Sequence, residues 1–134
     1  MPSASRVKDR LAHGGLLLVP VMVQGQDFEF LIDTGAAYTA LSPELVTFLG
    51  IGINPAQILI APAQGSPFQA PLITITELRI GGFQLLNVAA IVLAFPPILK
   101  IDGVLGMNVL KQFRITIEAD TAHLVLRRLS SPVL

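Results

Sequence analysis

Cysteine and tryptophan are absent from this 134-residue chain, tyrosine occurs once and histidine twice. Without cysteine there is no disulfide scaffold, no thiolate metal site and no cysteine nucleophile. The two histidines, His13 and His123, are too few for a His-rich metal centre or a mononuclear zinc hydrolase, and both read as surface positions. Charge is scarce as well. Asp, Glu, Lys and Arg make up 13% of the residues, about half the usual ~25%. Nine cations balance nine anions, so composition offers no basic field for nucleic acid. What remains for chemistry is carboxylate, hydroxyl and backbone, with neither metal nor cofactor expected.

Apolar residues fill the space that charge leaves. They are 52% of the chain, and the mean hydropathy is +0.69, which supplies ample surface to bury and excludes intrinsic disorder. The length fits one domain. A surface this poor in charge implies that part of it is covered by a partner subunit. Arg6, Lys8 and Arg10 precede an apolar run at 16–23, but Asp9 sits among them, Pro20 interrupts the run and no small-x-small cleavage site follows. That run reads as a first strand rather than a secretory leader. Residues 45–76 and 80–99 carry no charge. Prolines at 55, 62, 67 and 71 punctuate the first stretch, and Gly81-Gly82 and Pro96-Pro97 the second, so neither reads as a membrane helix. The expectation is a cytoplasmic protein without a membrane partner.

Aliphatic and β-branched runs divided by Gly and Pro place the chain in the mainly β class. Strands are expected at 16–24 and 27–32 around a turn at Gly25-Gln26, and at 57–61 and 68–76 around a polar tip. Two more are expected at 77–80 and 83–93 around Gly81-Gly82, with a last hairpin formed by 114–118 and 124–128. Ser42-Pro43-Glu44 announces a short helix: Ser42 as N-cap, Pro43 at the first helical position, Glu44 at the positive end of the dipole, and Gly50 as the stop. A second short helical pattern lies at 107–112. The Arg127-Arg128 pair reads as a solvated edge.

Phe30-Leu31-Ile32-Asp33-Thr34-Gly35-Ala36 is the informative stretch. It sets a carboxylate on a turn directly after an apolar strand. Thr34 is able to hydrogen-bond across that turn, and Gly35 lets backbone approach closely. Read alone, Asp33 is equally a plain turn residue. From average composition, Asp-Thr-Gly followed by Ala or Ser arises by chance in about one such chain in a few hundred.

The order of apolar strand, Asp-Thr-Gly-Ala, short helix, hairpin and then Val104-Leu105-Gly106-Met107-Asn108-Val109-Leu110 closely resembles the retropepsin-like aspartic protease family. The resemblance covers residues 15–126. Thr39 and Leu49-Gly50-Ile51 bring it nearer to the bacterial single-domain members than to the retroviral ones. It implies a closed β-barrel with a flap hairpin and two short helices, working as a homodimer on a peptide or protein substrate. Asp33 would be the catalytic carboxylate, Thr34 a rigidifying contact between two catalytic loops, and Gly35 a substrate-facing backbone position. Ala36, Ala37 and Tyr38 would line the substrate site, with Ala63, Gln64 and Gly65 at the flap tip. Retroviral members pair an Asp after the Ala with an Arg between the Gly and the Asn. Here Ala37 and Met107 stand there, so no buried charge is stranded.

Water attack on a peptide carbonyl needs a base and an acid, and two carboxylates sharing one proton supply both. The chain has one Asp-Thr-Gly. Asp9, Asp27, Glu29, Glu44, Glu77, Asp102, Glu118 and Asp120 lack that context and read as solvated turn or edge residues. The second carboxylate is therefore expected from an identical subunit across a two-fold axis. In this reading residues 1–14 are a lead-in with a dimer contact, 15–128 the protease domain, and 129–134 a tail or interface strand. The alternatives are a non-catalytic dimeric binding module that keeps the fold, or a fragment of a longer, processed protein.

Overall fold

A computed structural model of the chain describes residues 4–8, 10–11, 15–62 and 65–129. In chain order the elements are β1 (Ala4–Lys8), β2 (Arg10–Leu11), β3 (Leu17–Val23), β4 (Gln26–Ile32), β5 (Thr39–Leu41), α1 (Pro43–Leu49) and β6 (Asn54–Ile60). They continue with β7 (Phe68–Ile80), β8 (Phe83–Val92), β9 (Gly103–Leu105), α2 (Met107–Leu110), β10 (Phe113–Glu118) and β11 (His123–Arg128). No helix among the described residues is long and apolar enough to cross a membrane.

Alternation builds the strands. In β3, Val19, Val21 and Val23 are fully buried while Pro20 between them is exposed. β3 turns into β4 through Gln24 and Gly25, both with positive φ, one residue earlier than expected, in the primed geometry that matches strand twist. Gly81 and Gly82 make the same kind of turn between β7 and β8. Residues 68–76 and 77–80, expected as separate strands, form one strand, β7. The break in their pattern is physical. The buried positions change parity, from Ile73 and Ile75 to Leu78 and Ile80, so the strand re-aims its inner face midway. α1 begins and ends as its signals require. The Ser42 hydroxyl accepts from the Leu45 N–H at 3.1 Å, and Gly50 closes the helix in the left-handed conformation.

The larger sheet runs β2-β3-β4-β9-β5-β8-β7-β6, and β3 also pairs with β7 through Met22↔Arg79 and Val23↔Leu78. That extra pairing closes the six strands from β3 to β7 into a barrel. β9 is the keystone, parallel to β4 and antiparallel to β5. Phe30, Leu41, Ile75, Leu105 and Leu110 fill the interior, each such burial contributing ~1.5–3 kcal/mol.

A second sheet, β1-β11-β10, covers one end of the barrel. Its Leu124 and Leu126 are wholly buried in the same core. β1 lies across the β7–β8 turn: a Cβ on Gly81 would sit 2.8 Å from Ser5 Oγ and Val7 Cγ2. β11 is thus the central strand of its sheet, not the solvated edge expected of Arg127-Arg128. Those two arginines part company across it. Arg127 points outward, while Arg128 lies 5.8 Å over the Phe113 ring and donates to the Gln84 carbonyl at 3.2 Å.

Candidate active site

Asp33 stands where β4 leaves the barrel. Its own N–H still donates to the Leu105 carbonyl of β9 at 3.1 Å, so the loop starts from a pinned point. Its Oδ1 accepts the Gly35 N–H at 2.9 Å, and its carbonyl accepts the Ala36 N–H at 3.2 Å. The carboxylate is therefore oriented by its own turn. Asp33 is half-buried, while Thr34 and Gly35 beside it are exposed.

Beyond the turn the loop is tied to the start of α2. Met107 N–H donates to the Ala36 carbonyl at 2.7 Å, and Asn108 N–H to the Ala37 carbonyl at 3.1 Å. The Asn108 side chain does more. Its Oδ1 accepts both the Thr39 N–H (2.8 Å) and the Thr39 hydroxyl (3.0 Å), and its Nδ2 donates to the Ala89 carbonyl at 2.7 Å. The Thr39 hydroxyl in turn accepts the Gly106 N–H at 3.2 Å. Thr39 has no exposed surface, so these bonds replace water entirely. Gly106 is required here because a Cβ would run into the Tyr38 carbonyl. The two sequence signatures thus meet in space and hold one another.

Next to the carboxylate opens a cleft of about 740 Å³. Leu31, Ile91 and Val104 form its floor, Ala36, Ala37 and Tyr38 one side, and Phe95, Leu99 and Ile101 another. Leu59, Ile60 and Phe68 from the β6–β7 hairpin complete it. Asp33 is the only acidic or basic residue among the lining residues. The structure brings Asp33, Gly35, Ala36, Ala37 and Tyr38 together in the lining of one cleft, Tyr38 packing against the apolar cluster around Ile91 and Val104. Thr34 is on the exposed turn rather than in the cleft wall. Gly65 is exposed at the hairpin with φ +93° and outside the lining. Ala63 and Gln64 lie outside the described residues, as does His13. Among the described residues no cluster of three His, Asp or Glu is placed to hold a metal ion.

Sequence reasoning missed the walls supplied by Phe95, Leu99 and Ile101. The stiffness of Phe95-Pro96-Pro97 is visible in the sequence, but its return to the Asp33 side is not. It also misjudged Asp102. That residue is half-buried, its Oδ2 accepting the Glu29 N–H at 3.0 Å and its carbonyl the Ser42 N–H at 3.0 Å, so it joins β4 to the head of α1. His123 is half-buried, its Nδ1 3.0 Å from Thr121 Oγ1.

Comparison with known proteins meets this geometry independently. The family described as "gag-polyprotein putative aspartyl protease" matches residues 19–112, a span from β3 to the end of α2 that includes both signatures. No curated protein sequence matches the chain. Among solved structures, a retropepsin-like aspartic protease from Rickettsia conorii is similar with a TM-score of 0.71 and 22% identity, over 93% of this chain and 92% of that one. EIAV protease, complexed with an inhibitor, is similar with a TM-score of 0.55 and 14% identity, over 76% of this chain and 91% of that one. The chain has the retropepsin-like fold and belongs to the gag-polyprotein aspartyl protease family.

Proposed function

We propose that the chain is an aspartic endopeptidase that works as a homodimer, with Asp33 of each copy facing the other. The observation that carries this reading is the placement of Asp33: a carboxylate held by the Gly35 N–H on an exposed turn, at the mouth of a cleft otherwise without acidic or basic residues. One carboxylate supplies a base or an acid, not both. Two at close range cannot both ionise and share a proton, so the ionised one takes a proton from the attacking water while the protonated one donates to the scissile carbonyl oxygen. Thr34, exposed beside Asp33, is assigned the contact between the two catalytic loops. Ala36, Ala37 and Tyr38 line the substrate site, and the β6–β7 hairpin, with Gly65 at its tip, is the flap that excludes water. Residues 15–128 are the catalytic unit, while 1–14 and 129–134 contribute to the contact between copies.

Asp33→Asn tests the reading. It keeps size and the acceptor for Gly35 N–H but removes the ionisable group. Peptidase activity should fall by roughly several orders of magnitude, while circular dichroism and sedimentation stay as in the wild type. Equal cleavage by the variant makes Asp33 a structural turn residue. A wild-type dimer that cleaves nothing across a broad peptide library supports the non-catalytic binding module instead.

A further inference from the structure

The chain has no net charge, yet one surface concentrates its cations. In the β1-β11-β10 sheet the inner face carries Val7, Leu124, Leu126 and Phe113, all buried. The alternation then fixes the outer face. Register sets Ala4 opposite Arg127 and Arg127 opposite Arg114; Arg6 opposite Val125 and Val125 opposite Thr116; Lys8 opposite His123 and His123 opposite Glu118. Arg6, Lys8, Arg114 and Arg127, four of the chain's nine Lys and Arg residues, thus share one three-stranded face with a single carboxylate.

That carboxylate is engaged. Arg6 Nε donates to Glu118 at 2.8 Å, and Lys8 Nζ donates to the Thr121 carbonyl at 3.2 Å, so the hairpin end of the face is engaged from within. The other end is not. Arg114 and Arg127 are directly opposite, both exposed, and neither has an acidic partner among the described residues. Like charges in that relation have Cβ atoms ~5 Å apart and destabilise a sheet.

We propose that this face docks an acidic polypeptide segment, whose carboxylates pair with the Arg114 and Arg127 guanidiniums. Arginine forks match carboxylates in bidentate geometry, and charge complementarity selects the partner. A second copy seated over Arg114 and Arg127 does not fit, because a two-fold contact centred there would set cation against cation. Single-stranded nucleic acid lacks its stacking surface, since the outer face carries no Phe, Tyr or Trp and its one ring, His123, is half-buried. A lipid surface lacks its apolar wedge, since the outward positions hold only Ala4 and Val125 as aliphatic side chains.

The test is fluorescence anisotropy on the full chain with a labelled peptide of alternating glutamate and serine. The wild type should bind it, and the affinity should fall about tenfold or more as salt rises from ~50 to ~300 mM. The double variant Arg114→Gln/Arg127→Gln should bind about tenfold more weakly or worse, with its thermal midpoint unchanged or raised. A control with Lys100→Gln, a cation outside this sheet, should bind as the wild type does. The proposal is overturned if the wild type ignores the peptide, if the double variant binds it equally, or if a single-stranded oligonucleotide or phosphatidylserine vesicles bind more tightly than the peptide. The wild-type salt titration decides the matter even if the double variant folds poorly.

Discussion

Asn108 satisfies two donors of the buried Thr39 and one carbonyl of β8 with a single amide. Truncating it strands a main-chain N–H and a hydroxyl where water does not reach. Asn108→Ala should therefore lower unfolding free energy by about 2–3 kcal/mol, read from urea denaturation. Thr39→Val, which keeps the shape and loses only the hydroxyl, should lower it by about 1–2 kcal/mol. Gly106→Ala should be worse than either, because the new methyl meets the Tyr38 backbone, which is itself tethered between Ala37 and Thr39. At this scale Asp33, Gly106 and Asn108 were all legible, because each sits in a short pattern with a chemical reason. The family resemblance sets the second signature beneath the catalytic loop, but the individual bonds were not legible: a motif shows residue types in order but not the partner atom across ~70 intervening positions. Asp102 was misjudged for the same reason, its partner Glu29 being 73 residues away.

Elements whose reasons are local were the easiest to read. Ser42, Pro43, Glu44 and Gly50 define α1 at both ends, and the structure places all four in those roles. β1 was missed because Ala4–Lys8 has no apolar alternation of its own and becomes a strand only by pairing with β11. Hairpins allow sharper tests. Gly65 has φ +93° at an exposed tip, so Gly65→Val should impair turnover about tenfold or more while moving the thermal midpoint by only a few degrees. An equal loss of folding would make the flap part of the core. In the β7–β8 hairpin, Gln84 and Arg79 both donate to the Glu77 carboxylate. These bonds, that of Gln84 foremost, hold its pKa below the usual 4.5. A depressed acid stabilises the fold above its unfolded value and loses that contribution as pH falls through the folded one. An NMR titration should therefore place the Glu77 midpoint below 4.5, and Gln84→Ala should move it upward toward that value.

For the whole molecule, the proposed shared site makes assembly the quantity to measure. If the second carboxylate comes from another copy, specific activity should fall steeply on dilution as dimer gives way to monomer. Sedimentation beside a peptidase assay checks this, and constant specific activity from a monomer would refute the shared site. The mainly β class and the number of hairpins were legible from alternation and turn residues. Barrel closure was legible only through the family resemblance, because Met22↔Arg79 and Val23↔Leu78 join strands whose sequences carry no mutual signal. Net charge was equally silent. Nine against nine describes the sum, while the sheet register decides that four cations share a face.

The keystone position of β9 also sets a schedule. Asp33 is made early, but β9 and Asn108, which fix its loop, come only after most of the chain has been translated. At synthesis rates of ~5–20 residues per second, several seconds separate the two. Through that interval the growing polypeptide holds the carboxylate without the β9 pairing and the Asn108 bonds that fix its loop.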